Sequence, residues 1–160
     1  MDFKEFERLQ QAVQTVADED RINREYWNNP TLAGPEPRDW VWEQSTWGWG
    51  RTTEDTVHTD EGFGWTLVCG SGGCLAGTGV MQAGDRFVTE RTKVSGALVQ
   101  VDDCVDADGF VYDIEERASD LFGLEPEESA VLFSAANTAT RIISLARTIS
   151  AKYGHTLVVI

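Results

Sequence analysis

Basic side chains, imidazoles and thiols are all scarce in this chain of 160 residues, and it has no long apolar run. Thirteen Lys and Arg stand against 27 Asp and Glu, for a net charge of −14. Direct binding to nucleic acid or anionic lipid needs clustered cations to neutralise phosphates, so this balance argues against both. No uncharged apolar stretch approaches the roughly 18 residues that a membrane span requires. The opening Met-Asp-Phe-Lys-Glu-Phe-Glu-Arg lacks the basic-then-apolar layout of a secretory signal, so the expected location is the cytoplasm. Three cysteines, an odd number without an export signal, argue for reduced thiols rather than a disulfide framework. Two histidines, His58 and His155, leave little material for imidazole catalysis near neutral pH.

What is present suits a single domain of residues 1–160. Apolar residues make up 41% and charged residues 25%, the proportions of a chain that buries a core. Phe3, Phe6, Leu9, Val13, Val16 and Ala17 recur at helical spacing and predict a helix over 3–27. Pro30, Pro35 and Pro37 with Gly34 make 28–39 a loop. Residues 40–65 form a Trp-rich segment, whose polar part from Thr52 to Gly64 reads as a second loop. The remaining core, 66–160, opens with a short buried helix expected from Ser71 to before Gly84.

Two strand-like runs, Ala97–Val101 and Phe110–Tyr112, flank an acidic connection with the turn dipeptide Asp108-Gly109, and together predict a hairpin. Asp113 with Glu116 has the spacing of a capping box, opening a helix that turns Ile114, Ala118, Leu121 and Phe122 inward and stops at Gly123. Pro126 starts another short helix. Asn137 is placed to cap a longer one, with Ile142, Ile143, Leu145, Ala146, Ile149 and Tyr153 as its apolar stripe and Gly154 as its stop. The tail from Thr156 to Ile160 is expected to add an edge strand or to pack onto the core. The fold class is therefore α+β, mostly helical, with a small β-hairpin or antiparallel sheet.

Four short elements occur in order after the N-terminal helix. They are Trp40-Val-Trp42-Glu43-Gln44-Ser-Thr-Trp47, Cys69-Gly70-Ser71-Gly-Gly-Cys74-Leu-Ala76-Gly77, Ala118-Ser-Asp-Leu121-Phe122-Gly123-Leu124 and Leu132-Phe133-Ser-Ala-Ala-Asn137-Thr138. Together they resemble a family of small proteins encoded by actinobacteriophages and their actinobacterial hosts. Thr78 stands where that family usually has a bulky aromatic. The family has no established activity, so the resemblance implies a setting, a phage-type protein at work in the bacterial cytoplasm. It also singles out Trp42, Gln44, Trp47, Cys69, Cys74, Gly77 and Asn137 as motif residues.

Three places in the chain carry candidate chemistry. Cys69 and Cys74, with Cys104 and a histidine, would supply zinc ligands, but one pair with four intervening residues is not the spacing of a zinc knuckle. Close packing accounts for these thiols, and no metal or other cofactor is expected. The run Gly70-Ser-Gly-Gly73 lacks the Lys-Ser/Thr ending of a phosphate loop. Asp106, Asp108, Gly109, Val111 and Glu115 fall at positions 3, 5, 6, 8 and 12 of an EF-hand, but Cys104 would occupy position 1 and supplies no hard oxygen, which favours an acidic hairpin turn over calcium.

The strongest signal is charge. Asp102, Asp103, Asp106, Asp108, Asp113, Glu115, Glu116, Asp120, Glu125, Glu127 and Glu128 stand against Arg117 alone, which puts −10 of the total −14 into 27 residues. Residues 129–153 carry Arg141, Arg147 and Lys152 and no acid. Such a face would steer a basic partner and raise its association rate at low salt. The expected function is that of a non-enzymatic protein whose acidic face binds and modulates a host protein with a basic surface, with carboxylates standing in for phosphates as one form of the idea. Two alternatives are a small metal- or thiol-dependent enzyme built on Cys69, Cys74 and Cys104, and a structural or self-associating protein using exposed Trp or the Leu157–Ile160 edge.

Overall fold

The structure is a computed structural model and describes residues 1–28, 40–67, 71–89, 96 and 98–160. The expected loop 28–39, Cys69, Gly70 and the first residue of the Ala97–Val101 strand lie, wholly or nearly so, outside the described residues. Among the described residues the chain forms α1 (Phe3–Asn28), β1 (Trp40–Trp42), β2 (Gly48–Thr59), β3 (Gly62–Leu67), β4 (Ser71–Gly73), α2 (Leu75–Gln82), β5 (Arg86–Thr89), β6 (Leu98–Val101), β7 (Asp103–Val105), β8 (Val111–Asp113), α3 (Ile114–Phe122), α4 (Pro126–Leu132) and α5 (Ala139–Lys152). This is an α+β domain, as the sequence pattern implies, with a sheet larger than one hairpin.

The strands run in the order β1-β4-β2-β3-β5-β7-β8, with β6 on β2. Most neighbours are antiparallel, while β1 and β4 are parallel, pairing Trp40 with Ser71 and Trp42 with Gly73. The expected loop at Thr52–Gly64 is instead the β2–β3 hairpin, with Thr59 opposite Gly62. Its first strand is rich in β-branched Thr52, Thr53, Thr56, Val57 and Thr59, which favour extended backbone although most are polar. Gly62, at φ +126°, supplies the turn geometry that a side chain would resist.

The expected pairing of 97–101 with 110–112 does not form. β6 pairs with β2, and the acidic connection itself supplies β7, which joins β5 to β8. β7 carries buried Cys104 and Val105 behind exposed Asp103, enough apolar surface to hold a short inner strand. Ser71–Gly73 is likewise a strand, so α2 begins at Leu75.

One core joins sheet and helices. Leu9, Val13 and Val16 of α1 meet Leu75 and Val80 of α2, Ile114 and Phe122 of α3, Leu132 of α4 and Ile142 of α5. The four expected inward residues of α3 are all buried. Asp113 is its N-cap, accepting from the amides of Glu115 and Glu116, and Gly123 closes it at φ +61°. A reciprocal capping box occurs at α4, between Glu125 and Glu128. The tail adds no strand: Leu157 is buried, and the Gln14 carboxamide holds the Ile160 backbone at both its N–H and its C=O.

Candidate functional site

The motif residues that the structure describes gather in one place, and what they do there is structural. Gln44 is buried at the centre. Its Oε1 accepts from Trp42 Nε1 at 3.2 Å and from the Leu75 amide at 3.2 Å, the first amide of α2. Its Nε2 donates to the carbonyls of Phe133 (3.3 Å) and Ser134 (3.1 Å), just past the end of α4. One carboxamide thus serves an orphan group at each of two helix ends, and each of its polar atoms has a partner. Trp47 stacks edge-on against Phe133 at 6.4 Å.

The glycines let this arrangement close. A Cβ on Gly73 or on Gly77 would strike the Trp47 carbonyl oxygen, and one on Gly79 would strike the Phe122 ring. Cys74 donates its amide to Thr46 and is 1% exposed, and the Glu43 amide bonds the Gly73 carbonyl. Among the described residues, Ser71–Gly73 pairs with neighbouring strands and the Gln44 side chain occupies the Leu75 amide at the start of α2, an arrangement that serves packing.

Asn137 has a different task from the one expected. Thr138 is the N-cap of α5, its hydroxyl accepting from the Arg141 amide. Asn137 turns its Nδ2 back to the carbonyls of Val131 (2.8 Å) and Leu132 (3.0 Å) and so closes the end of α4. Trp42, Trp47 and Trp49 are half-buried.

Cys74 and Cys104 are both buried and in no disulfide. Burial pushes Cys74 up to about 11, and burial with the nearby Asp85 carboxylate pushes Cys104 up to about 12. A thiol held in the protonated form is a weak nucleophile near neutral pH. Among the described residues, no three His, Cys, Asp or Glu side chains gather closely enough to hold a metal ion.

The acidic residues lie outside this packing and divide by use. Asp106 organises the β7–β8 turn: its Oδ1 accepts from the amides of Asp108 and Phe110, and its Oδ2 from the Tyr112 hydroxyl. Desolvation pushes its carboxyl up, but these three donors outweigh it and hold the group below the usual range. With a strand before it, Cys104 buried and Asp106 already bonded, the loop is a hairpin turn rather than an EF-hand. Asp113 caps α3, while Glu125 and Glu128 cap α4 and bind Lys152 at 2.9 and 2.8 Å.

Arg117, the lone cation of the stretch, is committed. It forms a two-pronged pair with the buried Asp85 carboxylate, at 2.7 and 3.2 Å, and lies 4.7 Å over the Tyr112 ring. Sequence reading missed both Asp85 and Asp60. Asp60, at the β2–β3 tip, accepts from the Val111 amide through its side chain and donates its own amide to Gly109, which seats one acidic turn against the other. Neither residue stands in a periodic pattern that would have flagged it.

What remains is Asp102, Asp108, Glu115, Glu116, Asp120 and Glu127, whose carboxylates have no cation against them among the described residues. Asp113, Glu115, Glu116 and Asp120, with Leu124 and Pro126, line an open groove of about 810 Å³ where α3 gives way to α4. Glu115 and Glu116 in the first turn of α3, and Glu127 in that of α4, also sit where a helix favours negative charge. Asp120 near the end of α3 lies where a helix disfavours it.

Comparison of the chain with family models, with curated proteins and with solved structures finds no match. Among the described residues no helix is long and apolar enough to cross a membrane.

Proposed function

We propose that this protein is a phage-type binding factor of the bacterial cytoplasm that modulates a host protein by engaging a basic surface with its α3–α4 face. The observation that carries this reading is the state of the charges there. The groove presents Glu115, Glu116 and Asp120 to solvent, while Arg117 on α3 and Lys152 beside α4 are already held by Asp85 and by Glu125 and Glu128. Self-neutralisation is therefore low, and a partner's Lys or Arg can approach without displacing an internal pair. Carboxylates spaced along a short helix can stand in for phosphates before a protein that ordinarily binds nucleic acid. Cys74 and Cys104, two of the three thiols on which a thiol-dependent alternative would rest, are buried with raised pKa values, which favours the binding reading.

The test is capture from an actinobacterial lysate at about 0.1 M and about 1 M salt, where the screening length falls from ~10 to ~3 Å. Bait proteins are the wild type, Glu115→Gln/Glu116→Gln/Asp120→Asn, and the triple Lys variant, each checked for folding by its melting curve. A specific host protein should be retained at the lower salt, weakened by neutralisation and lost on reversal. A retained partner indifferent to both salt and charge reversal would refute the electrostatic reading.

A further inference from the structure

The outer face of α5 is the complement of the acidic one. Residues 129–153 contain no acid, and Ser144, Thr148 and Ala151 form an exposed strip of small side chains along this helix. At 100° per residue, Arg141 falls on one side of that strip and Arg147 on the other. Both are exposed, and among the described residues neither guanidinium meets a carboxylate. The opposite face of α5 packs against α1 and α4, so this side is turned away from the core. A low helix face flanked by two unpaired guanidiniums accepts another helix that carries acids. On this same chain, α3 presents Glu116 and Asp120 four residues apart, on one side of a helix.

We infer that α5 is a docking surface for the α3 face of a second copy. The contact is heterologous: the basic face of one copy takes the acidic face of the next, so an open assembly keeps one unused face of each kind, at its two ends, until a ring closes. The net charge of −14 opposes this only at long range. At about 0.1 M salt, charges further apart than ~10 Å are largely screened, and the contacting pairs decide the outcome. The contact rests on the acidic face of the proposed function and would compete with it, since Glu116 and Asp120 cannot hold a host protein and α5 at once.

Sedimentation equilibrium across protein concentration tests the inference with two neutral variants of the full chain, Arg141→Ala/Arg147→Ala and Glu116→Gln/Asp120→Asn. All four positions are at the surface, and melting curves confirm that each variant folds. Wild type should gain mass with concentration at about 0.1 M salt and lose that gain at about 1 M. Each variant alone should remain a monomer. Their equimolar mixture should form a pair and stop there, because only one intact basic face and one intact acidic face remain between them. Wild type that stays monomeric, a variant that still self-associates, or a mixture that forms no pair overturns the inference. Arg141→Ala/Arg147→Ala keeps the acidic face, so host-protein capture by this variant reports on the proposed function independently.

Discussion

At the scale of single residues, two positions with ordinary chemistry, Gln44 and Gly77, hold more than their size suggests. Gln44→Ala would orphan the Leu75 amide, the Trp42 indole N–H and the carbonyls of Phe133 and Ser134. Part of this set is buried, so the expected loss is about 2–4 kcal/mol, and Gln44→Glu should fare little better because a carboxylate cannot donate to the two carbonyls. Gly77→Ala drives a methyl group into the Trp47 carbonyl and should cost about 1–3 kcal/mol, despite the gain in helix propensity that alanine normally brings. Urea unfolding midpoints measure both, and a Gly77→Ala protein as stable as wild type would show that Trp47 yields without strain. The purpose of Gln44 was hidden in the sequence for a plain reason. Its partner Phe133 lies 89 residues further along, and the spacing Trp-Glu-Gln-Ser-Thr-Trp says nothing about what a carboxamide meets across such a distance. The tight packing of Cys74 and Gly77 was easier to foresee, since small residues in an apolar run with few charges have little else to do.

At the scale of elements, the helices were far more legible than the strands. α1 extends within one residue of its expected end, and the caps of α3 and α4 follow from local chemistry that needs only a few neighbouring residues. β2 was not legible, because its Thr, Glu and Asp residues look like a solvated loop unless β-branching is weighed above polarity. β7 was missed because a three-residue strand holds too short an alternation to read, and its partners come from either side of it in the sheet. Local caps make local predictions. Asp113→Ala should cost about 1 kcal/mol by freeing the Glu115 and Glu116 amides. Asn137→Ala should cost a similar amount by exposing the last carbonyls of α4. Each loss corresponds to roughly 2–4 °C in Tm for a domain near this size, measurable by calorimetry. Had Asn137 been the cap of α5, the Thr138→Ala variant would be silent, whereas the structure requires it to destabilise.

At the scale of the whole molecule, pH and charge act on the fold in opposite directions at the two ends of the scale. Cys74 and Cys104 keep their protons to about pH 11 and 12 when folded, whereas unfolded thiols release theirs near pH 9. Below that pH both states are protonated and the thiols' contribution is fully present. Above it the unfolded chain alone sheds protons, so stability falls as pH rises towards 11–12, by at most about 1.4 kcal/mol per unit for each thiol. On the acid side, Glu128 is desolvated, but Lys152, the Glu125 amide and the Tyr153 hydroxyl outweigh that and lower its pKa, so its contribution is lost as pH drops below the ordinary carboxylate range. Denaturant midpoints at pH 8, 9 and 10 should decline for wild type and decline less steeply for Cys74→Ala/Cys104→Ala. Equal slopes would mean that neither thiol is held as described.

Strand β2 belongs to two pairings at once: Gly48–Arg51 lies against β4 and β6, and Thr52–Thr59 against β3, with a register shift between Thr52 and Thr56. A ribbon shared in this way behaves like a common hinge pin, for neither leaf can swing free while the other stays bolted. Loosening at the Trp-rich edge would therefore be felt at the far tip where Asp60 touches the second acidic turn, and the two halves of the sheet should come apart as one body rather than peel away in sequence.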